Sequence, residues 1–271
     1  MSMAPVLCPV CGRPMEIGEQ TWRCPQGHGF DVARQGYVNL LTVTQKHSRH
    51  PGDTAGQVAA RKAFLDTGTY EPIAAAMCRL LAQERPEAVL DAGCGEGYYL
   101  TRLGAAHPGA ELWGVDISKD AVRYAAVRSR EAHWIAGTAA HLPFPDGTFG
   151  AVLSMFALTV PEEFRRVLRP GGAFLQVLAG EDHLLGLKRL IYPELLRREK
   201  NLHPVLPGFR LEREETLEFP FQLEGSAQIQ NLLAMTPHFW RISADGAARA
   251  AAAERLEDTA QVIFNLYRAE T

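Results

Sequence analysis

The stretch PEAVLDAGCGEG, residues 86–97, decides how the chain is read. Ala88-Val89-Leu90 is a short apolar run suited to a buried parallel strand, and it ends in an acid, Asp91. Gly93, Gly95 and Gly97 follow, and YYLTRLGAA then begins a helix. Strand, glycine loop and helix make the nucleotide-type turn that opens a doubly wound α/β domain. The spacing is G-x-G-x-G, so the third glycine of a dinucleotide G-x-G-x-x-G would fall on Tyr98.

The acid before the loop also argues against a diphosphate ligand. S-adenosylmethionine has no phosphates; it carries an ammonium, a carboxylate and a sulfonium cation, and an acid beside the loop suits that charge. The glycines let a ligand approach the backbone. Moving outward, Glu111-Leu112-Trp113-Gly114-Val115 reads as the next strand and ends at Asp116, which can accept hydrogen bonds from both hydroxyls of a ribose. His133-Trp134-Ile135-Ala136 reads as a third strand. HLPFPDGTFGAVLSMF (141–156) supplies a loop and a fourth, and LRPGGAFLQVLAG (168–180) a turn and a fifth. Upstream, residues 72–81 form an apolar helix opened by Tyr70. Downstream, DGAARAAAAERLED reads as a helix and TAQVIFNLYRA alternates with period two, the pattern of a closing strand at the sheet edge.

The chain begins differently. CPVCGRPMEIGEQTWRCPQGH, residues 8–28, places Cys8 and Cys11 in a C-x2-C pair, with Cys24 and His28 following. Zinc takes four such ligands in a tetrahedron, and a C-x2-C pair supplies two of them from one tight turn. Gly12 follows the first pair, and Pro25 and Gly27 punctuate the second. Between the pairs, MEIGEQTWRC reads as two short strands joined at Gly18-Glu19. A segment of about forty residues buries too little core to fold unaided, so one structural Zn2+ is physically reasonable. A redox C-x-x-C would open a helix after a buried strand, and no such flanking pattern is present. A closed four-ligand site leaves no open position for chemistry, which must lie elsewhere.

Composition sets the wider bounds. The chain has 271 residues, 46% apolar and 22% charged, with a net charge of −3, so bulk charge gives no support to nucleic-acid binding. No apolar run is long enough to cross a bilayer, and MSMAPVLCPV lacks the features of a secretory signal, so a cytoplasmic protein without membrane contact is expected. Thiols there stay reduced, which favours metal ligation over disulfides for the five cysteines. Basic residues fall in patches: Lys46, Arg49, Arg61 and Lys62, then Lys188, Arg189, Arg197, Arg198 and Lys200. Arg13, Arg23 and Arg34 decorate the cysteine module, with Trp22 offered for stacking.

The run from residue 86 to 180 resembles class I (Rossmann-like) methyltransferases. Thr138 stands where an acid often contacts adenine, and Gly150 replaces the usual acid after the Phe; both bear on adenine contacts, not on the fold. The zinc-ribbon-like module, FDVARQGYVNLL (30–41), PGDT (51–54), ARKAFLDTGTY (60–70), LDAGCGEGYY (90–99), HLLGLKRLIY (183–192) and MTPHFW (235–240) together resemble one family, the bacterial 23S rRNA (guanine-N1-)methyltransferases of the RlmA type. That resemblance implies zinc on Cys8, Cys11, Cys24 and His28. It implies cofactor contacts at Tyr70, the Gly95-Glu96 turn and His183, with a 23S rRNA hairpin as substrate and a homodimer as assembly. Read alone, Tyr70 is a packing residue and His183 a surface histidine at a helix start. The implied division is a zinc and RNA-recognition module (1–45), a linker and helix (46–69) and a methyltransferase domain (70–271). Guanine N1 carries a proton and lies on the pairing edge, so it reacts only when unpaired and needs a proton acceptor. SMFALT (154–159), where substrate-facing residues are expected, holds no acid or histidine, so no base is assigned. Two rivals are a small-molecule, quinone-type methyltransferase and a noncatalytic RNA-binding protein.

Overall fold

A computed structural model describes residues 3–45, 51–195 and 200–270. Eight strands form the main sheet: β4 (Tyr37–Asn39), β5 (Ala88–Ala92), β6 (Glu111–Asp116), β7 (His133–Ala136), β8 (Phe149–Met155), β9 (Leu168–Ala179), β10 (Phe209–Glu224) and β11 (Arg255–Ala269). Their order is β10-β11-β9-β8-β5-β6-β7-β4, parallel from β4 to β9, with β11 antiparallel to both β9 and β10. The order turns back on itself at β5, so the crevice above β5 and β8 is where a ligand of such a sheet sits. The middle strands are buried along their whole length, the mark of a sheet covered on both faces.

Helices α1 (Ala55–Leu65), α2 (Glu71–Ala82), α3 (Tyr98–Ala106), α4 (Lys119–Arg128), α5 (Pro161–Val167), α6 (Leu185–Ile191), α7 (Ser226–Ala234) and α8 (Ala244–Ala252) supply that cover. Their starts are written locally. Thr54 and Gln57 form a reciprocal capping box at α1, and Ser118 caps α4 through the Ala121 N–H. The Ser118 hydroxyl also donates to the Asp53 carbonyl at 2.7 Å, which anchors the segment before α1 to the start of α4.

Two expectations change. The 259–269 alternation was expected at the sheet edge, but β11 is interior and β10 takes the edge, its residues alternating between half-buried and exposed along most of its length. Asn265 on β11 is buried and donates to Gln176 and to the Leu202 carbonyl, contacts an edge strand would not need. Tyr37–Asn39, expected inside the small module, pairs in parallel with β7 and ends the large sheet.

The small module therefore grows directly out of the sheet. Its own strands, β1 (Glu16–Ile17), β2 (Thr21–Arg23) and β3 (Gly29–Asp31), form a separate antiparallel ribbon with the turn where Gly18-Glu19 placed it. Trp22 is buried and meets Trp113 of β6 edge to face, with centroids 6.3 Å apart. It cannot offer a stacking surface to a partner. The Ala4 N–H donates to the Glu111 carboxylate and the Leu7 N–H to the Pro143 carbonyl, so the module and the sheet share one apolar cluster.

Candidate active site and metal centre

The cysteine module closes a cage. Cys8, Cys11, Cys24 and His28 bring one donor atom each to within 4.8 Å of one another. Cys11 and Cys24 sulfurs lie 3.7 Å apart, and His28 Nδ1 lies 3.4 Å from Cys24 Sγ and 3.6 Å from Cys8 Sγ. A tetrahedron with ordinary zinc bond lengths requires about 3.8 Å between sulfurs and about 3.6 Å between sulfur and nitrogen. The donor set and its edges therefore fit zinc. Gly12 and Gly27 take φ of +70° and +84°, the left-handed turns that let each pair fold back on its ion. Burial opposes a thiolate at Cys24, but the N–H groups of Gln26 and His28 outweigh it and bring the thiol down to about 6.

Far from the cage, a cavity of about 1180 Å³ opens above the glycine loop. Tyr70, Asp91, Gly93, Gly95, Glu96 and His183 line it together; Gly97 and Asp116 stand behind the loop and do not. Gly93, Gly95 and Gly97 all have positive φ, and a Cβ on Gly93 would sit 2.5 Å from Ala157. Asp91 is buried, and neither carboxylate oxygen has a hydrogen-bond partner. Burial, and after it the charge of Asp116, pushes its carboxyl up to about 8. An orphaned buried acid beside a glycine loop is a site made for a cationic ligand group, and it fits the ammonium of S-adenosylmethionine.

Asp116 has a structural task as well. Its two oxygens accept the Gly95 and Ser118 N–H groups at 2.9 and 2.8 Å, tying the loop to the end of β6. The Glu96 carboxylate is buried against Arg128 at 2.5 Å, leaving the backbone of the Gly95-Glu96 turn to face the cavity.

Tyr70 and His183 meet although 113 residues separate them: the Tyr70 hydroxyl is 3.4 Å from His183 Nε2. His183 is buried, not the surface residue its place before a helix suggests. Burial, then the charges of Lys188 and Lys200, pull it down to about 4, so it is neutral at neutral pH. Phe156 and Leu184, both cavity-lining, adopt left-handed φ of +55° and +58°, a strain that non-glycine residues carry mainly at functional sites.

The lining of the cavity also contains Lys188, Tyr192, Lys200, His238, Trp240 and Arg241. The sequence marked these only as a basic patch and as parts of two quoted stretches, and Arg241 not at all. No local spacing links them, because α6 and the 3-10 helix Pro237–Trp240 come together only through the tertiary fold. Of the first basic patch, Arg61 pairs with Asp53 and Lys62 with Asp66; Lys46 and Arg49, like Arg197 and Arg198, lie outside the described residues. Among the described residues, no helix is long and apolar enough to cross a membrane.

Comparison with known proteins agrees with both centres. A family model described as RlmA, N-terminal, matches residues 6–49, and one described as methyltransferase domain matches residues 89–172. The 23S rRNA (guanine(748)-N(1))-methyltransferase of Streptomyces fradiae is 36% identical over 250 residues, covering 89% of this chain and 88% of that protein. A candidate 23S rRNA (guanine-N(1)-)-methyltransferase of Micromonospora griseorubida is 40% identical over 201 residues, 66% of this chain and 67% of that one. The demethylmenaquinone methyltransferase of a Geobacillus strain matches at 32% over only 43% of this chain and 55% of its own length.

Proposed function

The chain belongs to the bacterial 23S rRNA (guanine-N1-)methyltransferases of the RlmA type, and we propose that it carries a methyl group from S-adenosylmethionine to N1 of a guanine in 23S rRNA. The observation that carries this reading is one cavity lined both by an orphaned acid and by a set of cationic and aromatic side chains. Its volume of about 1180 Å³ exceeds the usual single-ligand pocket of about 300–1,000 Å³, leaving room for a nucleobase beside the cofactor.

S-adenosylmethionine supplies the sulfonium methyl. Asp91 takes the ammonium, the Gly93–Gly95 backbone allows close approach, and Tyr70 and His183 close the cavity over the reacting region. Positioning N1 in line behind the methyl carbon accounts for much of the rate. Zinc holds the ribbon, whose exposed Arg13, Arg23 and Arg34 offer phosphate contacts to the rRNA. We assign residues 1–45 to zinc and RNA recognition, with Tyr37–Asn39 lending an edge strand to the large sheet, 46–69 to the connection and 70–271 to the methyltransferase domain. The substrate is then a hairpin with an unpaired guanine, and two copies of the chain would act together.

Incubating the protein with methyl-labelled cofactor and either 23S rRNA or a small-molecule extract tests this. Label in rRNA, with a new reverse-transcription stop at one guanine, is the expected result. Label in a quinone fraction and unlabelled rRNA would overturn it.

A further inference from the structure

The family assignment leaves open which group takes the proton from N1, and SMFALT offers none. A candidate stands elsewhere in the cavity lining. His238 lies in the short helix Pro237–Trp240, half-buried, with its Nδ1 2.9 Å from the Tyr192 hydroxyl and the two rings 5.5 Å apart. Both residues line the cavity that also holds Asp91 and the glycine loop. We propose that His238, pinned by Tyr192, is the catalytic residue that accepts the N1 proton of the target guanine, an assignment that rests on the guanine-N1 reading above.

The geometry selects this histidine over the other cavity histidine. His183 has its Nε2 against the Tyr70 hydroxyl, whereas His238 is held through Nδ1 by Tyr192, a contact that does not commit its Nε2. With Nδ1–H donating to the Tyr192 oxygen, Nε2 carries the lone pair, and the pin still serves after Nε2 is protonated. Burial, then the charges of Lys188, Arg241 and Lys200, hold His238 below its ordinary value, so it is neutral and ready at neutral pH. Glu181, Asp182 and Glu194 also line the cavity, so acids balance its positive charge in part.

Lowered basicity does not disable the step. The N1–H electron pair forms the bond to the methyl carbon while the carbon–sulfur bond breaks, its electrons staying on sulfur in S-adenosylhomocysteine. The proton passes to Nε2 as the new bond forms, when N1 is becoming strongly acidic, and then to solvent. Positive charge on Lys188 and Lys200 also favours negative charge on the guanine oxygen next to N1, which loosens the same proton.

The test is single-turnover methylation of 23S rRNA by wild type, His238→Gln and Tyr192→Phe across a pH series, with cofactor and RNA affinities measured in parallel. His238→Gln should lose about a hundredfold or more in rate with both affinities within about twofold. Its residual rate should climb steadily with pH, where wild type is flat above the ordinary histidine range of about 6.5. Tyr192→Phe should lower the single-turnover rate about tenfold and leave both affinities unchanged, the order expected for losing one hydrogen bond to a charged group. A His238→Gln enzyme within about threefold of wild type, or a loss matched by weaker ligand binding, would sink the assignment while leaving the rRNA reading intact. Wild type inert toward rRNA would overturn both.

Discussion

The zinc cage and the cofactor end of the cavity are both small clusters of polar side chains inside apolar surroundings, yet they have opposite relations to stability. In the cage, four donors from twenty-one consecutive residues meet at distances that fit one zinc ion, which would answer every donor. In the cavity, residues from Tyr70 to Arg241 converge and leave the Asp91 carboxylate unanswered. The cage contributes to the fold, and the cavity costs the fold something until a ligand completes it. Breaking either region should therefore move stability in opposite directions.

The largest effect belongs to the cage. Cys24→Ser should abolish zinc retention and cost more than about 4 kcal/mol, as failures of metal sites do. For a chain of this size that is roughly 8–16 °C in Tm. Because Val6, Cys8, Met15, Trp22 and Cys24 pack in one cluster with Leu90 and Trp113, the loss should appear in the main calorimetric transition. A separate low-temperature transition with an unshifted main peak would show that the module melts alone, and the shared cluster would lose its meaning. Zinc content by metal analysis checks the first half of the expectation.

The middle case is the backbone that the two regions share as a device. Gly97 has φ of +82°, and a Cβ there would sit 2.8 Å from the Trp134 ring and 2.9 Å from Ala125. Gly97→Ala should cost about 2–4 kcal/mol, combining the left-handed penalty with overpacking. Denaturant unfolding reads it. A change below about 1 kcal/mol would mean the loop moves to absorb the methyl.

These contrasts explain what the sequence disclosed. The cage was legible to the residue because its ligands, turns and ribbon are local, and so was the glycine loop. The strand that ends at Asp116 followed for the same reason. The His183–Tyr70 contact was accessible only through family resemblance; read alone, His183 looked like a surface residue. The cationic and aromatic part of the lining was not legible: Tyr192 and His238 are 46 residues apart and meet because α6 packs against α8 and β11, while α7 packs against α8 and the 3-10 helix that carries His238. Edge and interior strands were also confused, since period-two alternation marks one exposed face but says nothing of which neighbour lies on either side. Trp22 failed for a related reason, as an aromatic on a small ribbon reads as available until the sheet that covers it is known.

The smallest effect is the sharpest test of the comparison, because its sign is opposite. Asp91 titrates near 8 in the folded chain and near the ordinary 3.8 when unfolded, so between these values the folded state holds the extra proton. Stability of the ligand-free protein is then fullest below the unfolded value and falls as pH rises through this window. Asp91→Asn removes the ionisation and should flatten that slope, raising stability at neutral pH by about 1–3 kcal/mol. The same change removes the partner of the ligand's ammonium, so S-adenosylmethionine should bind roughly 10–100-fold more weakly, the worth of a hydrogen bond to a charged group. Thermal melts from about pH 5 to 8 and calorimetry with the cofactor read both sides. An Asp91→Asn protein that is less stable and binds as before would mean that the orphaned acid is part of the core, and the contrast between cage and cavity would fail at the residue on which it depends.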